Sequence, residues 1–370
     1  MQSKSSQICD DSYLLANLNV ARTVFWPSVR KLDLGNNNYY LIVEDLSWAS
    51  NLSFLEHLDL SEVNLSGTKY DRSLVKVLGK LPRLLVLKLS LTELDNTNLP
   101  HDCLNFTLLS KVQYLDLSAN SFGGEFPCFL RNMASLKFLD LSYNKYNSFD
   151  HNPRFLLPNN IAHVDLDSNN LYHDTDWISN FMWDKCHLRS LQLGGNQLHG
   201  DLSRVVGNLS GCWINKLENL NLRQNRIYGH IPTSLGKLSA LVSFDVSYNR
   251  LSGPILTSIE SLRALRELRL NANQLSGDIP ISLGKLPNLE TINISSNRFN
   301  GSLSEAHFAN LTRLNSISMS MLELRLAYDW VPPFFQLQTL VIRSCNIGGR
   351  FPEWIRSQKA LSWLVLSNSS

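Results

Sequence analysis

Leu265-Arg266-Glu267-Leu268-Arg269-Leu270-Asn271-Ala272-Asn273 reads L-x-x-L-x-L-x-x-N. Leu268 and Leu270 stand two residues apart, and a β-strand points such a pair to the same side. The pattern recurs at Leu136-Leu139-Leu141-Asn144, Leu217-Leu220-Leu222-Asn225 and Leu289-Ile292-Ile294-Asn297. Fourteen copies run from end to end. Their last positions are Asn37, Val63, Thr92, Asn120, Asn144, Asn169, Asn196, Asn225, Asn249, Asn273, Asn297, Leu322, Cys345 and Ser369. Successive gaps run from 23 to 29 residues, and four in the second half are 24.

A repeat of about 20–29 residues with this signature is the leucine-rich class. It predicts an α/β-type repeat solenoid: a right-handed superhelix or horseshoe of about 14 repeats, with one strand per coil stacked into a concave parallel β-sheet. Neighbouring strands would lie about 4.8 Å apart. The 370 residues would otherwise suggest two or three globular domains, but a repeat protein escapes that expectation. The expected organisation is a non-repeat remnant over 1–27 and a leucine-rich-repeat domain over 28–370, without caps.

The asparagine that ends each pattern should turn inward and bond otherwise unpaired backbone groups, forming a ladder. Asn37, Asn120, Asn144, Asn169, Asn196, Asn225, Asn249, Asn273 and Asn297 supply it. Cys345 is the accepted alternative, and Thr92 and Ser369 can bond in part. Val63 and Leu322 cannot, so local irregularity is expected at both.

A second motif, G-x-I-P or a close variant, follows several ladder positions. It reads Gly124-Glu125-Phe126-Pro127, Gly229-His230-Ile231-Pro232, Gly277-Asp278-Ile279-Pro280 and Gly349-Arg350-Phe351-Pro352. Glycine permits a turn, the apolar residue packs inward, and proline cannot continue a ladder. S-L-G-x-L-x-x-L (Ser234–Leu241, Ser282–Leu289) then closes the coil on the convex side.

Composition excludes several function classes. Net charge is +2, which leaves no footprint for nucleic acid. Charged residues make up 18%, and leucine, serine and asparagine fill the difference. The nine histidines show no metal-ligand spacing, and there is no phosphate loop or nucleophile elbow. No enzyme activity, metal or cofactor is expected. Met1–Asp11 is polar where a signal peptide needs an apolar stretch, and no apolar run of about 18 residues would span a membrane. Of the six cysteines, Cys186 and Cys212 lie one coil apart, as do Cys103 and Cys128. Disulfide and free-thiol readings both stand for each pair, whereas Cys345 reads as a buried thiol.

L-x-G-x-I-P with a 24-residue period resembles the plant-specific leucine-rich repeats of receptor-like kinases and receptor-like proteins. The resemblance covers about residues 28–370. Asp45-Leu46-Ser47-Trp48, then Leu55–Ser61, look like the N-terminal third of such proteins. Asp329-Trp330-Val331-Pro332-Pro333 and Phe351-Pro352-Glu353-Trp354-Ile355 look like a block in their middle. The subfamily is similar to defence receptor-like proteins that include fungal-xylanase receptors and apple scab-resistance homologues. Members begin with a signal peptide and cysteine-bearing cap and end with a membrane helix, which implies that this chain is a partial ectodomain. The resemblance also implies a plasma-membrane location facing outward, and signalling through a co-receptor kinase.

Candidate sites lie on the concave face. The column between the two strand leucines departs from its default aspartate between Gln192 and Arg269. Glu218, Arg223, Gln224, Asp245, Tyr248, Arg266 and Arg269 should fall within about three strands, roughly 15 Å. Such a patch has the character of a contact hot spot, though a solvated Asp/Arg ladder fits the same residues. Trp363 and Val365 read either as ligand contacts or as packing against further parts of a parent protein. Eight N-x-S/T sequons begin at Asn51, Asn64, Asn105, Asn208, Asn293, Asn300, Asn310 and Asn368. Asn51, Asn64, Asn105, Asn208, Asn300 and Asn310 are the expected glycan acceptors. A glycan on Asn293 would cover the concave face.

The expected function is ligand binding by a receptor ectodomain, the ligand being an extracellular peptide, protein or glycan. A secreted inhibitor resembling polygalacturonase-inhibiting proteins and an intracellular interaction solenoid are the alternatives.

Overall fold

The computed structural model describes residues 28–38, 40–43, 45–68, 73–98, 109–148, 157–206, 211–320, 325–326, 336–345, 347 and 351–368. They fall in two compact units, Met1–Ile161 and Ala162–Ser370.

In the first unit the strands Lys31–Asp33, His57–Asp59, Val86–Lys88, Tyr114–Asp116 and Phe138–Asp140 pair in parallel, each x-L-x directly opposite the next. In the second, nine strands follow from His163–Asp165 to Trp363–Ser367, also parallel and in register. From Leu58 to Leu340 the central leucines or their equivalents are buried, as Leu58, Leu115, Leu139, Leu191, Leu220 and Leu268 show at 1% exposure or less, whereas Leu32 in the first strand is half-buried and Leu364 in the last is 43% exposed. Alternation then leaves their neighbours on the open side.

The asparagine ladder forms as the sequence predicts. Asn249 donates from Nδ2 to the carbonyls of Leu222 in the preceding coil and Val246 in its own, at 2.9 and 3.1 Å. Its Oδ1 accepts from Ile227 N–H at 3.0 Å. Asn144, Asn225, Asn273 and Asn297 repeat the arrangement, and Asn120 and Asn196 hold the equivalent preceding carbonyls Leu89 and Leu166. Within their own coils Asn37 donates to Leu34 and Asn169 to Leu166. Thr92 bonds in part, through its hydroxyl to Leu89, and Cys345 is a buried thiol directed at Met319 and Arg343 carbonyls. At Val63 the expected irregularity is absent from the strand: His57–Asp59 keeps its register on both sides. The reason is that the inter-coil backbone bond Glu62 N–H to Ser90 O needs no side chain. Leu322 and Ser369 lie outside the described residues.

One backbone feature was not legible beforehand. In all thirteen described coils the residue before the ladder position has φ between 52° and 63°, twelve of them non-glycine and the thirteenth Gly195. This left-handed turn sends the chain from the strand into the coil and aims its N–H at the next coil, as in Tyr248 N–H to Asn271 O.

At Gly124, Gly229 and Gly277 the glycine of G-x-I-P sits inside a strand instead of making a turn; Gly349 lies outside the described residues. His199–Asp201, Arg226–His230, Arg250–Gly253, Gln274–Asp278 and Arg298–Asn300 form a second, lateral parallel sheet in the second unit. Gly123–Glu125 with Lys145–Ser148 is its two-stranded counterpart in the first. Proline follows, extended and lacking an N–H, and ends the pairing at Pro127, Pro232 and Pro280. A 3-10 turn then closes the coil, as at Thr233–Lys237 and Ile281–Lys285. Leu235, Leu238 and Leu241 from that segment are buried. Gly236 and Gly284 are needed there because a Cβ would meet the next coil's backbone, Ser258 O at 2.7 Å and Ala306 O at 2.6 Å. Three longer coils carry α-helices instead, Thr175–Met182 and Leu202–Val206 in the second unit and Ser73–Leu78 in the first. Asp174 caps the Thr175–Met182 helix by accepting from Trp177 N–H, and the inner face of that helix buries Trp177, Ile178, Phe181 and Met182.

Cys186 and Cys212 form a disulfide between neighbouring coils, with Cα atoms 4.8 Å apart. Cys128 is disulfide-bonded, and Cys103 lies outside the described residues.

Candidate functional site

Each x-L-x strand presents two side chains on its open face, one on either side of the buried residue. Strand pairing stacks these into columns with one member per coil, so the repeat converts sequence position into surface position.

In the first unit the columns are acidic and aromatic. Tyr114 and Phe138 stack with centroids 4.1 Å apart. Beside them Asp116 and Asp140 each accept the N–H and hydroxyl of the serine two residues on, at 2.9 and 2.7 Å. Burial holds the Asp140 carboxyl above its ordinary value; the Ser142 bonds oppose this and Asp116 adds to it. Burial and the Asp116, Asp140 and Asp59 carboxylates push the Tyr114 hydroxyl up to about 12. Asp59 goes the other way. Its burial is outweighed by hydrogen bonds from Ser61 and by Lys88 at 3.0 Å, which hold it below the ordinary range. His57 is lowered by burial and by Lys31 and Lys88, against Asp59 and Asp33.

Asp33, His57 and Asp59 bring one ligand atom each within 4.8 Å of one another. Linear spacing could not show this, because the grouping spans two strands. Lys31 lies 3.3 Å from Asp33 and Lys88 3.0 Å from Asp59, so the carboxylates already have cationic partners.

In the second unit Glu218, Asp245, Arg266 and Arg269 fall on or beside three consecutive strands, with Asn219 opposite Ser243 and Ser243 opposite Glu267, and Asn221 opposite Asp245 and Asp245 opposite Arg269. The predicted patch divides into two parts. Glu218, Asp245, Arg266 and Arg269 lie on or beside the strands and are engaged. Glu218 pairs with Arg189 and Arg269 with Glu267, while Arg266 reaches Glu290 at 3.5 Å. Asp245 accepts the Ser247 N–H and hydroxyl at 2.9 and 2.6 Å. Arg223, Gln224 and Tyr248 lie past the strand, at the rim. All three are exposed, Tyr248 at 55%, and Gln224 and Tyr248 occupy the left-handed position. The Asp/Arg ladder therefore describes the strand half and not the rim half.

Sequence reasoning missed the partners Arg189, Glu267 and Glu290. Part of the signal was available: Arg189 and Glu218, and Arg266 and Glu290, occupy one repeat position in adjacent coils with opposite charges, the two pairs being separated by Val242.

Asn51, Asn300, Asn310 and Asn368 are exposed, and Asn64 is half-buried with its Oδ1 accepting Ser66 N–H. Asn293 is half-buried on the strand face, its Oδ1 accepting from Ser295, itself buried. Asn105 and Asn208 lie outside the described residues. Trp363 is 60% exposed and Val365 half-buried. Among the described residues no helix is long and apolar enough to cross a membrane.

In-register strands, an asparagine ladder and one-per-coil columns define a leucine-rich-repeat protein. A family model described as "Leucine-rich repeat region" matches residues 164–368, and one described as "Leucine Rich Repeat" matches 111–133. The chain belongs to the leucine-rich-repeat family.

Its relatives are plant receptor-like proteins, in line with the resemblance drawn from the sequence. It is 35% identical to Receptor-like protein EIX1 of Solanum lycopersicum over 93% of this chain and 37% of that protein. It is 31% identical to Receptor-like protein 32 of Arabidopsis thaliana over 55% of this chain and 22% of that protein. The chain thus spans well under half the length of both. Among solved structures, the ectodomain of the Arabidopsis receptor kinase HAESA, in complex with an IDA peptide hormone ligand, matches with a TM-score of 0.67 at 25% identity, over 93% of this chain and 55% of that one. A Leptospira interrogans leucine-rich-repeat protein matches with a TM-score of 0.70 at 24% identity, over 93% and 80%.

Proposed function

We propose that this chain is ligand-recognising ectodomain of a plant cell-surface receptor-like protein, displayed outside the cell and held at the plasma membrane by its parent protein. Its role in that reading is binding and not catalysis. The ligand is a peptide or protein, and signalling passes through a co-receptor kinase. HAESA supports both partners by analogy, since that receptor kinase is described in complex with the peptide hormone IDA and the co-receptor SERK1.

The observation that carries the reading is the exposed rim at Arg223, Gln224 and Tyr248, continuous with the charged strands of Asp245 and Arg269. The engaged strand residues give a preorganised charge pattern, and the rim gives an aromatic and a cation whose side chains have no ion-pair or hydrogen-bond partner among the described residues. N-glycans on Asn51, Asn64, Asn105, Asn208, Asn300 and Asn310 belong to the same reading.

The test places a photo-cross-linking amino acid at position 248 and exposes the chain to plant extracellular fluid. The expected result is a discrete cross-linked peptide or protein that disappears in an Arg223→Glu, Arg269→Gln background. An unchanged cross-linking profile in that background would refute the site.

A further inference from the structure

The lateral sheet of the second unit carries a feature that the strand face does not use. The position after each ladder asparagine is Arg226, Arg250, Gln274 and Arg298 in four successive coils. Each opens a strand of the lateral sheet, and the next residue (Ile227, Leu251, Leu275 or Phe299) is buried at 1% or less. Alternation therefore turns all four outward, and all four are exposed.

Neighbouring strands are offset by two residues. Tyr228 opposes Arg250, Ser252 opposes Gln274, and Ser276 opposes Arg298. One strand across and two residues along is a step of about 8 Å, so the three arginines and the glutamine lie on one diagonal at roughly that spacing. Arg189, Arg204, Arg266, Arg269 and Arg356 all have carboxylate partners, whereas Arg226, Arg250 and Arg298 have none among the described residues. Among the described residues the same face also holds carboxylates. Asp174, bridged to His199, accepts Trp177 N–H. Asp201 is occupied by Ser203 N–H, and Asp278 ends its strand opposite Asn300 without pairing to Arg298.

Three unpaired guanidiniums each offer a planar fork suited to a carboxylate. An extended chain places alternate side chains on one side about 7 Å apart, and arginine's flexible stem covers a mismatch of about 1 Å per step. Tyr228, 52% exposed, stands opposite Arg250 and two residues from Arg226, where it can pack against the chain's apolar atoms. We propose that this face binds an extended acidic peptide segment of a partner protein, with Asp or Glu at positions i and i+2 received by Arg226 and Arg250 and at i+6 by Arg298, Gln274 facing position i+4. The surface is separate from the strand-face patch.

The probe is a fluorescein-labelled alternating Glu-Ser peptide titrated onto the 370-residue chain by fluorescence anisotropy. The expected result is saturable binding that weakens with salt, is at least tenfold weaker in Arg226→Gln/Arg250→Gln/Arg298→Gln, and stays within twofold in Arg356→Gln, an exposed arginine paired with Glu353. If the triple variant does not fold, Arg226→Gln and Arg250→Gln alone should each lose at least threefold. Equal binding by the variants would overturn the proposal. So would an acidic oligosaccharide of matched charge that displaces the peptide at lower concentration, because the face would then be a saccharide site.

Discussion

Asn249 holds the Leu222 carbonyl at 2.9 Å across 27 residues of sequence and joins two coils through one side chain. The same side chain accepts from Ile227, so a single amide satisfies a donor and an acceptor that the coil leaves over. Asn249→Ala strips both inter-coil partners. Leaving buried backbone groups unpaired costs about 1–3 kcal/mol each, so a loss of roughly 2–6 kcal/mol is expected in denaturant unfolding. Asn249→Thr should do better than alanine by keeping the bond to the Val246 carbonyl of its own coil, as Thr92 keeps the one to Leu89. Equal stability of the alanine and wild-type chains would show the ladder to be dispensable.

Ala272 and Gly195 occupy the same left-handed position, at φ 56° and 63°. A side chain there costs about 1–2 kcal/mol, and glycine returns part of that as unfolded-state entropy. Ala272→Gly should therefore raise stability slightly, by up to about 1 kcal/mol. Gly195→Ala should lower it, since its Cβ would also meet Ser168 Oγ at 3.1 Å. Shifts of the same sign in the two thermal melts would contradict the assignment of strain.

Asp59 and Asp140 should respond to pH in opposite senses. The folded state lowers Asp59, so its ionised form stabilises the fold above the ordinary carboxylate value, and this is lost as pH falls through the depressed one. The folded state raises Asp140, so its ionisation costs stability as pH rises from the ordinary value through the elevated one. Asp59→Asn should destabilise at neutral pH, with the difference fading in acid. Asp140→Asn, which keeps an acceptor for Ser142, should be neutral or stabilising at neutral pH, with its advantage fading in acid. Melting temperatures of both variants from pH 3 to 8 test the pair.

Cys186 and Cys212 close a loop of 26 residues. Restricting a loop of that length in the unfolded chain stabilises by about 3 kcal/mol in the chain-entropy account. Cys186→Ser/Cys212→Ser should lower the melting temperature and make it insensitive to reductant, whereas the wild type should fall toward it on reduction. A wild-type melt unmoved by reductant would mean that the bond contributes nothing to stability.

The Arg266–Glu290 pair is half-exposed at 3.5 Å, so a double-mutant cycle should give a coupling below about 1 kcal/mol. Arg266→Gln should therefore leave the fold intact and read out in ligand capture. A coupling of several kcal/mol would make the pair structural.

How much could be read in advance varies with the range of the interaction. The L-x-x-L-x-L-x-x-N spacing by itself determined which leucines face inward, where each strand falls and which amide builds the ladder, because period-2 alternation and a side-chain cap are local geometry. It also placed Arg269, Asp245 and Glu218 on adjoining strands, because strand pairing adds only one repeat per step. The tertiary structure alone decided the rest. The lateral sheet runs two residues out of step with the repeat, so Tyr228 meets Arg250 and not the residue 24 places on. Whether Arg266 is engaged or Arg226 left open depends on which carboxylates neighbouring coils bring alongside. The left-handed residue before each ladder position follows from closing the turn against the next coil, a demand that Tyr248, Ala272 and Leu91 meet without any residue type in common.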